Sequence, residues 1–495
     1  MTDTERLVIG IDSSTQSVKA IAWSRDGTPM AEGRATHDIH VPSPLIAEQD
    51  ARQWWSAAQE ALRQLTAQID MARVDAMAIS NQRETMVLTD AGGDPIAPAT
   101  VWLDRRSRDA VDMLAAEVGR DRLHQITGKP VDTIPCVYRL RHFRAHTPEL
   151  LDRAAHVYSV HDFLTRKLTG TASASWTSAD PFGLFDIAAK QWSPEILAAL
   201  GVPVTKLPPA HRPGSRIGSV TAGAAAATGL PQGLAVFAAG GDGHCAGLGS
   251  GVIAPGTMYL NLGTALVAGA WSPNPELSSY WRTLTSPTGE GYILETAQRG
   301  GAYFVNWLVD TFAGGRSDPA VFARLTEAAA NLPVGSEGVL VCSYLLGCMD
   351  PHWDGDARAT FTGMGPDTGM GHLYRASLEA ITLEYARALA QMRAAGVRID
   401  RITTIGGGAQ SKLWLRMIAD ATGTPVQCGL SNEASALGAG MTAAVGAGWY
   451  AGFAEAVAAM SRVADTTMPD PGAGGAWADL SRRQAQVYQA NRGLY

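Results

Sequence analysis

Short apolar runs that end in polar turns recur along the chain, and they predict buried strands. The first run extends from Leu7 to Asp12, the polar turn Ser13–Ser17 follows, and a second run extends from Val18 to Trp23. Runs of five or six residues that are rich in branched side chains are typical of strands buried on both faces. The pattern predicts a hairpin whose tip is rich in hydroxyl groups.

The same strand-turn-strand pattern returns in the second half of the chain. Met258–Leu262 predicts a strand, Gly263–Thr264 a turn, and Leu266–Trp271 a second strand, about half the chain length after the first hairpin. Internal similarity at half-length indicates two lobes of related topology. Glycine and proline cluster between Gly249 and Gly256, so we expect lobes at 1–250 and 251–495.

Predicted helices and strands alternate between the two hairpins. Apolar residues at helical spacing predict a helix over Asp50–Leu65, and a second helix is expected from about Gln410 to Ala421. Apolar runs at Asp75–Ser80, Leu234–Ala239 and Arg401–Ile405 predict further buried strands. The alternation is typical of an α/β fold.

The composition excludes several classes of protein. The 495 residues are 46% hydrophobic and 18% charged, which allows a large core and excludes global disorder. A net charge of −7 leaves no basic surplus for a phosphate backbone, so no nucleic-acid partner is expected. Five scattered cysteines without a Cys-x-x-Cys pair indicate a reduced, cytoplasmic protein without a structural zinc.

One uncharged stretch, Ala434–Ala454, must be weighed as a membrane span. Its side chains are mostly alanine and glycine, which gain little from lipid. The N-terminus lacks the apolar region of a signal peptide. We therefore expect no membrane partner, and a small-residue helix packed closely against a neighbouring layer.

The two hairpin turns are candidate phosphate sites. Backbone N–H groups and hydroxyls approach a triphosphate closely where residues are small, as in Ser13–Ser17 and Gly263–Thr264. Asp12 ends its strand and could hold Mg²⁺, and Lys19 adds a cation. One polar hairpin alone is most often only a turn, but two turns from related lobes favour a phosphate clamp.

A second candidate is the aspartate in Gly240-Gly-Asp242-Gly243, which an apolar strand delivers into a bend of small residues. Such a carboxylate could accept the proton of a substrate hydroxyl as that hydroxyl attacks phosphorus. The alternative is a turn aspartate bonded to its own backbone.

Four large polar residues, Asn81-Gln82-Arg83-Glu84, interrupt two apolar runs. Such residues are costly to bury unless they meet a polar ligand or one another. Trp102 and Asp104 follow the next strand, and together these side chains suit a small polyhydroxylated molecule. A surface salt-bridge cluster is the alternative.

The glycine run Gly406–Gly408, with Gln410 two residues after it, lies between a predicted strand and a predicted helix. Such a run lets a ring or phosphate approach the backbone, although a plain turn explains it as well. Ser411 stands where the dinucleotide pattern Gly-x-Gly-x-x-Gly needs its last glycine, which disfavours a Rossmann dehydrogenase.

A hydrolase is a competing interpretation. Gly243-His-Cys245-Ala-Gly247 has the form of a nucleophile elbow. That form requires a helix directly after the nucleophile, and we expect the glycines after Cys245 to discourage one. The elbow also leaves the repeated hairpin unused, so the hydrolase ranks below a kinase.

Taken together, these motifs resemble the FGGY carbohydrate kinases of the actin-like ATPase superfamily over nearly the whole chain. The matching segments are Ile11–Thr15, Glu48–Asp50 with Trp54-Trp55, Ile79–Glu84, Gly240–Asp242, Leu262–Thr264, Gly406–Gly408, and the C-terminal pieces Phe361–Met364, His372-Leu373 and Ala376–Glu379.

The resemblance implies two ribonuclease-H-like lobes with a deep cleft between them, the N-terminal lobe binding the acceptor sugar and the C-terminal lobe ATP. It implies transfer of the γ-phosphoryl group to a primary hydroxyl of a ketose or polyol. It implies that Asp242 is the general base and that Asp12 lies beside Mg²⁺. The residues implied at ATP are Thr15, Ser17, Lys19, Gly263 and Thr264 for the phosphates, and Gly407, Gly408 and Gln410 for the adenosine. The residues implied at the acceptor are Gln82, Arg83, Glu84, Trp102 and Asp104.

The resemblance does not point to a single acceptor, because different motifs resemble different members of the family. Asn81–Glu84 looks like the substrate motif of glycerol kinases, but those enzymes carry glutamine after the catalytic aspartate, where this chain has Gly243. Glu48–Trp55 and Tyr344–Asp354 look more like xylulose kinases, and Arg139 replaces the family's usual lysine. We expect a pentulose such as D-xylulose, with a glycerol kinase-like polyol kinase as the alternative.

Non-catalytic proteins also use actin-like folds, so a filament or switch protein is a remote alternative. The Asp242 motif and the Gln82–Glu84 segment favour a small-molecule site instead. The sequence does not decide the oligomeric state, and a homodimer is kept as an expectation.

Overall fold

Two large mixed sheets form the frame of the computed structural model, which describes residues 6–494. The N-terminal sheet has six strands. In spatial order they are Arg216–Ser219, Ala235–Gly241, Val74–Asn81, Leu7–Ser13, Ser17–Trp23 and Pro29–Thr36. The predicted hairpin is confirmed: its strands pair antiparallel, with Asp12 opposite Lys19.

The C-terminal sheet repeats this arrangement with seven strands. In spatial order they are Arg282–Thr285, Tyr292–Gln298, Leu266–Ser272, Gly256–Leu262, Ile399–Ile405, Val426–Gly429 and Val463–Thr467. In both sheets an antiparallel meander of three strands is followed by two strands parallel to its first. The half-length repeat therefore corresponds to two lobes of one topology.

Helices cover both sheets, and smaller sheets fill the connections. The helices are Ala51–Thr66, Arg108–Val118, Arg120–Thr127, Cys136–His146, Pro148–Arg153, Val160–Thr169, Trp176–Ala179, Pro194–Leu200, Ala222–Thr228, Asp242–Gly249, Ala302–Phe312, Val321–Ala330, Met370–Ala394, Lys412–Thr422, Ala434–Gly446, Phe453–Met460 and Gly474–Asn491. A five-stranded sheet comprises His40–Ser43, Ile46–Gln49, Ala99–Thr100, Met86–Thr89 and His156–Ser159. Two-stranded pairs are Ala174–Ser175 with Ala210–His211, Phe185–Asp186 with Gln191–Trp192, and Leu340–Cys342 with Thr360–Thr362.

The helix predicted at Asp50–Leu65 shows why these segments fold as they do. It spans Ala51–Thr66, and the Asp50 carboxylate caps it by accepting from the backbone N–H of Arg52. Its apolar stripe, which includes Trp54, Leu62 and Leu65, is fully buried against the N-terminal sheet. The periodicity that predicts the helix is thus the pattern that places it in the core.

The small-residue helix expected in the C-terminal half is also present, as Ala434–Gly446. It packs onto the N-terminal sheet so closely that a Cβ atom added to Gly10 would lie 1.9 Å from the carbonyl oxygen of Ala436. A Cβ on Gly438 would lie 2.0 Å from the carbonyl of Cys245. The helix thus returns to the N-terminal lobe, so a division at residue 250 does not separate all contacts of the two lobes. Within residues 6–494, no helix is both long and apolar enough to cross a membrane.

Polar contacts cross between the lobes at several points. Arg299 donates to the Asp132 carboxylate at 3.1 Å, and the backbone N–H of Thr285 donates to Asp180 at 2.6 Å. These contacts hold the two lobes against each other around a cleft.

A first prediction concerns the contact of the small-residue helix. Gly10→Ala should destabilise the protein by about 1–3 kcal/mol or more, because the new methyl group meets backbone that cannot move without separating helix from sheet. Gly223→Ala is the matched control, since a Cβ there meets nothing within 4 Å. Melting temperatures measure both variants, and equal values would contradict this packing.

A buried carboxyl group in the C-terminal lobe makes stability depend on pH. Asp350 accepts from the backbone N–H of Ala297 at 3.0 Å and from the hydroxyl of Thr296. Burial outweighs these hydrogen bonds and raises the pKa of Asp350 from its ordinary 3.8 to about 7. The stability that this group contributes is therefore complete below its unfolded pKa and is lost as the pH rises through about 7.

The second prediction concerns this loss of stability with rising pH. Asp350→Asn should gain stability relative to the natural chain as the pH rises from the ordinary aspartate pKa toward neutrality, by up to about 1.4 kcal/mol for each pH unit. An amide cannot ionise, so it avoids the cost of a buried charge. Denaturant midpoints across this range measure the difference, with the exposed Asp367→Asn as control. Parallel pH profiles for all three proteins would exclude the effect.

Candidate active site

The candidate site forms where three parallel strands end at one edge of the N-terminal sheet. The strands are Leu7–Ser13, Val74–Asn81 and Ala235–Gly241, with Asp12 in register with Ser80 and Gly241 in register with Asn81. Ligands bind at the carboxyl edge of parallel strands because side chains from several strands converge there. The register thus brings two segments predicted from distant parts of the sequence together.

Asp242 is the first residue of the helix Asp242–Gly249 and has Gly241 as its N-cap. Its carboxylate accepts from the backbone N–H of Gly243 at 2.7 Å and from Nε of Arg83 at 3.0 Å. The side chain remains 38% exposed. Asp242 is therefore an oriented carboxylate that still faces solvent.

Asp12 lies close enough to Asp242 for the two negative charges to interact. Its carboxylate accepts from Oγ of Ser80 at 3.0 Å. Burial, with the charges of Asp242 and Glu433, raises the pKa of Asp12 to about 7. A pair of carboxylates whose mutual repulsion raises a pKa has the charge and the oxygen ligands that suit a divalent cation.

The tip of the first hairpin is ordered by its own hydroxyls. Oγ of Ser14 donates to the carbonyl oxygen of Ser17 at 2.9 Å. Nε1 of Trp102 donates to Oγ1 of Thr15 at 3.0 Å, so a residue predicted at the acceptor contacts one predicted at the phosphates. Nζ of Lys19 lies 2.5 Å from the Glu433 carboxylate, which neutralises its charge.

The glycine turns of the C-terminal lobe lie beside each other. Asn261, just before Gly263, is in register with Ile405, and Gly406 adopts a φ of +84° in the left-handed region. A Cβ on Gly408 would lie 2.8 Å from Cβ of Leu262, while Gly407 faces open space. The structure thus brings Gly263 and Gly408 together, with Thr264 and Gln410 exposed beside them.

Arg83 and Glu84 belong to a buried ion-pair cluster that joins the lobes. Nη1 of Arg83 donates to both carboxylate oxygens of Glu295, at 3.0 and 2.9 Å. Nη1 of Arg282 donates to Glu84 at 2.7 Å, and Nη2 of Arg282 also contacts Glu295. We call these four residues the interlobe cluster. Burial opposes ionisation, but the two guanidinium groups lower the pKa of Glu295 to about 2.

Glu84 has a backbone conformation that non-glycine residues seldom adopt, with a φ of 46°. The fully buried Arg139 donates to the carbonyl oxygen of Glu84, and also to that of Ile134 at 3.0 Å. Arg139 thus supports the strained residue through hydrogen bonds to two backbone carbonyls.

Two of the predicted acceptor residues have other partners. Gln82 is buried and donates from Nε2 to Oε1 of Gln49 at 3.0 Å. Asp104 has no exposed surface, and its carboxylate accepts from the backbone N–H of Ala47 and from Arg106, each at 2.9 Å. Their polar atoms thus have partners inside the protein, which favours a positioning role for Gln82 and Asp104 over direct acceptor contact.

The hypothesis of a cysteine nucleophile at Cys245 is wrong. Cys245 is buried inside the helix Asp242–Gly249, and burial raises the pKa of its thiol far above the ordinary value. The expectation that the glycines discourage a helix here is also wrong. Those glycines instead allow close packing, since a Cβ on Gly249 would lie 2.2 Å from the carbonyl of Ala434.

Sequence reasoning missed Arg282 and Glu295. They face each other across the strand pair Arg282–Thr285 and Tyr292–Gln298. The signal that could have identified Glu295 is a charged residue inside the mostly apolar run Tyr292–Ala297, whereas the polar strand of Arg282 gives no such signal.

Comparison with known proteins agrees with this geometry. Residues 7–249 match the N-terminal domain, and residues 258–447 the C-terminal domain, of the FGGY family of carbohydrate kinases. A xylulose kinase of Bacillus subtilis is 27% identical, with 94% of this chain and 93% of that protein covered. A glycerol kinase of Bordetella parapertussis is 31% identical, with 90% of each covered.

Solved structures give the same result. The crystal structure of xylulose kinase from Rhodospirillum rubrum superposes with a TM-score of 0.92 at 29% identity, covering 99% of each chain. The two-lobed α/β fold expected from the resemblance is therefore confirmed. The family match over both lobes, with an oriented aspartate at the strand ends, establishes that this chain belongs to the FGGY family of carbohydrate kinases, phosphotransferases with an alcohol group as acceptor.

Proposed function

We propose that the chain transfers the γ-phosphoryl group of ATP to a primary hydroxyl of a pentulose such as D-xylulose. The observation that carries this proposal is the exposed Asp242 carboxylate, fixed by Arg83 at the carboxyl edge of the parallel strands. The similarity to proteins named xylulose kinases supports the acceptor class.

In the proposed reaction Asp242 is the general base. It accepts the proton of the acceptor hydroxyl while the hydroxyl oxygen forms a bond to the γ-phosphorus. The bond between that phosphorus and the oxygen bridging to the β-phosphate breaks, and ADP leaves with the electron pair. Arg83 holds the carboxylate in one orientation through its 3.0 Å hydrogen bond.

The two hairpin tips would hold the nucleotide. Thr15 and Ser17 of the first tip, with Lys19 behind them, and Gly263 and Thr264 of the second tip are proposed to contact the phosphates. Gly407, Gly408 and Gln410 would line the adenosine pocket, where the open space beside Gly407 lets a ring approach the backbone.

Asp12 would hold Mg²⁺, directly or through water, because its carboxylate oxygens suit a hard cation and the nearby charge of Asp242 repels its own charge when no cation is present. When bound there, Mg²⁺ would supply positive charge that offsets the charge developing on the transferred phosphoryl group.

Arg83, Glu84 and Trp102 are the proposed acceptor contacts. Glycerol kinases carry glutamine where this chain has Gly243, and a Cβ at Gly243 would lie 2.9 Å from both Nη2 of Arg83 and Oε2 of Glu295. The interlobe cluster therefore occupies the space that a larger residue would need. This favours a pentulose pocket over a glycerol pocket.

A glycerol kinase-like polyol kinase is the second candidate. The Asn81–Glu84 motif and the 31% identity to a glycerol kinase favour it. Glycerol is shorter than a pentulose, so the two candidate functions differ in the length of the acceptor that the pocket binds.

A cytoplasmic location and a homodimer remain predictions. The five cysteines, which are all unpaired, agree with a reducing compartment.

A coupled assay of ADP release tests the proposal directly. The acceptors are pentuloses, hexuloses, aldonates and small polyols, each with ATP and Mg²⁺. The expected result is the highest kcat/KM with a pentulose. The highest value with glycerol would select the second candidate, and no stimulation by any acceptor would contradict both.

The third prediction concerns the base. Asp242→Asn should lower kcat by about 10²–10⁴-fold and leave ATP affinity nearly unchanged, because the carboxylate acts on the acceptor hydroxyl. Asp367→Asn, an exposed carboxylate elsewhere, should behave as the natural chain. Near-normal turnover of a folded Asp242→Asn protein would remove Asp242 from this role.

The fourth prediction distinguishes a residue that contacts the acceptor from one that only stabilises the fold. Glu84→Gln should raise the acceptor KM and reduce discrimination between stereoisomers, because the variant lacks the negative charge that is proposed to orient an acceptor hydroxyl. The ATP KM should change little. Asp104→Asn should chiefly lower the melting temperature, because it breaks a buried ion pair with Arg106.

Kinetics and melting temperature are measured on the same preparations of both variants. If Glu84→Gln lowers only the melting temperature, Glu84 belongs to the interlobe cluster alone and the acceptor pocket lies elsewhere.

A further inference from the structure

Far from the strand ends, three potential metal ligands meet on the surface of the N-terminal lobe. They are Asp109, His142 and His146, which we call the histidine cluster. Among residues 6–494 it is the one group of three or more histidine, cysteine or acidic side chains whose ligand atoms lie within 4.8 Å of one another. None of the three has a role in the proposed phosphoryl transfer.

Two helices build the cluster. His142 and His146 are four residues apart on the helix Cys136–His146, so their side chains lie on one face, with ring centroids 4.5 Å apart. Asp109 is in the first turn of the neighbouring helix Arg108–Val118. The histidine pair is thus positioned by one rigid element and the carboxylate by another.

Each imidazole directs one nitrogen at a different oxygen of the same carboxylate. Nδ1 of His142 lies 3.4 Å from Oδ1 of Asp109, and Nε2 of His146 lies 2.8 Å from Oδ2. The side chains of Asp109 and His146 are 44% and 47% exposed, and that of His142 is 21% exposed. An ion from solvent can therefore reach all three groups.

The chemistry of these donors selects the ion. Two imidazoles and one carboxylate suit a borderline metal such as Zn²⁺, whereas Mg²⁺ and Ca²⁺ prefer oxygen alone. Zinc bonds of about 2.0–2.2 Å in a tetrahedron require ligand atoms about 3.3 Å apart. The 3.4 Å separation already meets this requirement, and the 2.8 Å separation does so after a small side-chain rotation.

We propose that the histidine cluster is a second metal site, which binds one Zn²⁺ through His142 Nδ1, His146 Nε2 and the Asp109 carboxylate, with water as the fourth ligand. The site lies outside the proposed catalytic machinery and does not depend on it. The ion would cross-link the helices Arg108–Val118 and Cys136–His146. Arg108, next to Asp109, donates to Asp356 of the C-terminal lobe at 2.5 Å, so the cross-link adjoins an interlobe contact.

Calorimetric titration with Zn²⁺ tests the site. The protein is the full chain without a polyhistidine tag, stripped with chelator and free of nucleotide and Mg²⁺. One Zn²⁺ per chain should bind and raise the melting temperature. His142→Gln and His146→Gln should each weaken binding by about 10-fold or more, the least that loss of even a supporting group costs a metal site.

Two matched control variants show whether the measured heat of Zn²⁺ binding comes from the histidine cluster. His40→Gln removes an exposed histidine elsewhere, and Asp12→Asn alters the proposed magnesium site; both should bind Zn²⁺ as the natural chain does. Melting temperatures of the metal-free variants verify that they are folded. Absence of binding in the natural chain, or unchanged affinity in both His142→Gln and His146→Gln, would overturn the proposal and leave the cluster as a clamp between two helices.

Discussion

The interlobe cluster is the interaction on which the candidate site depends. Arg83 and Glu84 follow a strand of the N-terminal sheet, while Arg282 and Glu295 belong to the C-terminal sheet, and all four side chains are buried. Removing one partner of a buried pair leaves an uncompensated charge, at a cost of about 3–5 kcal/mol. The cluster therefore stabilises one relative arrangement of the lobes rather than a range of them.

The same cluster connects the lobe arrangement to the chemistry. Arg83 uses Nη1 for Glu295 and Nε for Asp242, so one guanidinium group fixes both the lobe contact and the carboxylate proposed as base. Gly243 leaves the space in which Arg83 and Glu295 meet. The proposed base and the proposed acceptor contacts share these atoms with the lobe contact, so we expect the acceptor pocket to be complete only when the lobes are together.

Local patterns predicted the frame of the fold, but not the partners across the cleft. Apolar periodicity identified the helix that forms at Ala51–Thr66, and the repeated hairpins identified the two lobes. The ion pair between Arg83 and Glu295 joins residues 212 positions apart, and only the tertiary structure brings them together. The sequence also does not show that Asp104 is buried, with its carboxylate paired to Arg106 two residues away.

The most direct measurement is made on Glu295→Gln, which keeps the shape of the side chain and removes its charge. Small-angle scattering gives the radius of gyration, and the ADP-release assay gives kcat on the same sample. We predict a larger radius and a lower kcat than in the natural chain. The control Glu290→Gln should change neither, because the side chain of Glu290 is 79% exposed. An unchanged radius and kcat in Glu295→Gln would contradict the claim that the interlobe cluster holds the lobes and orients the base.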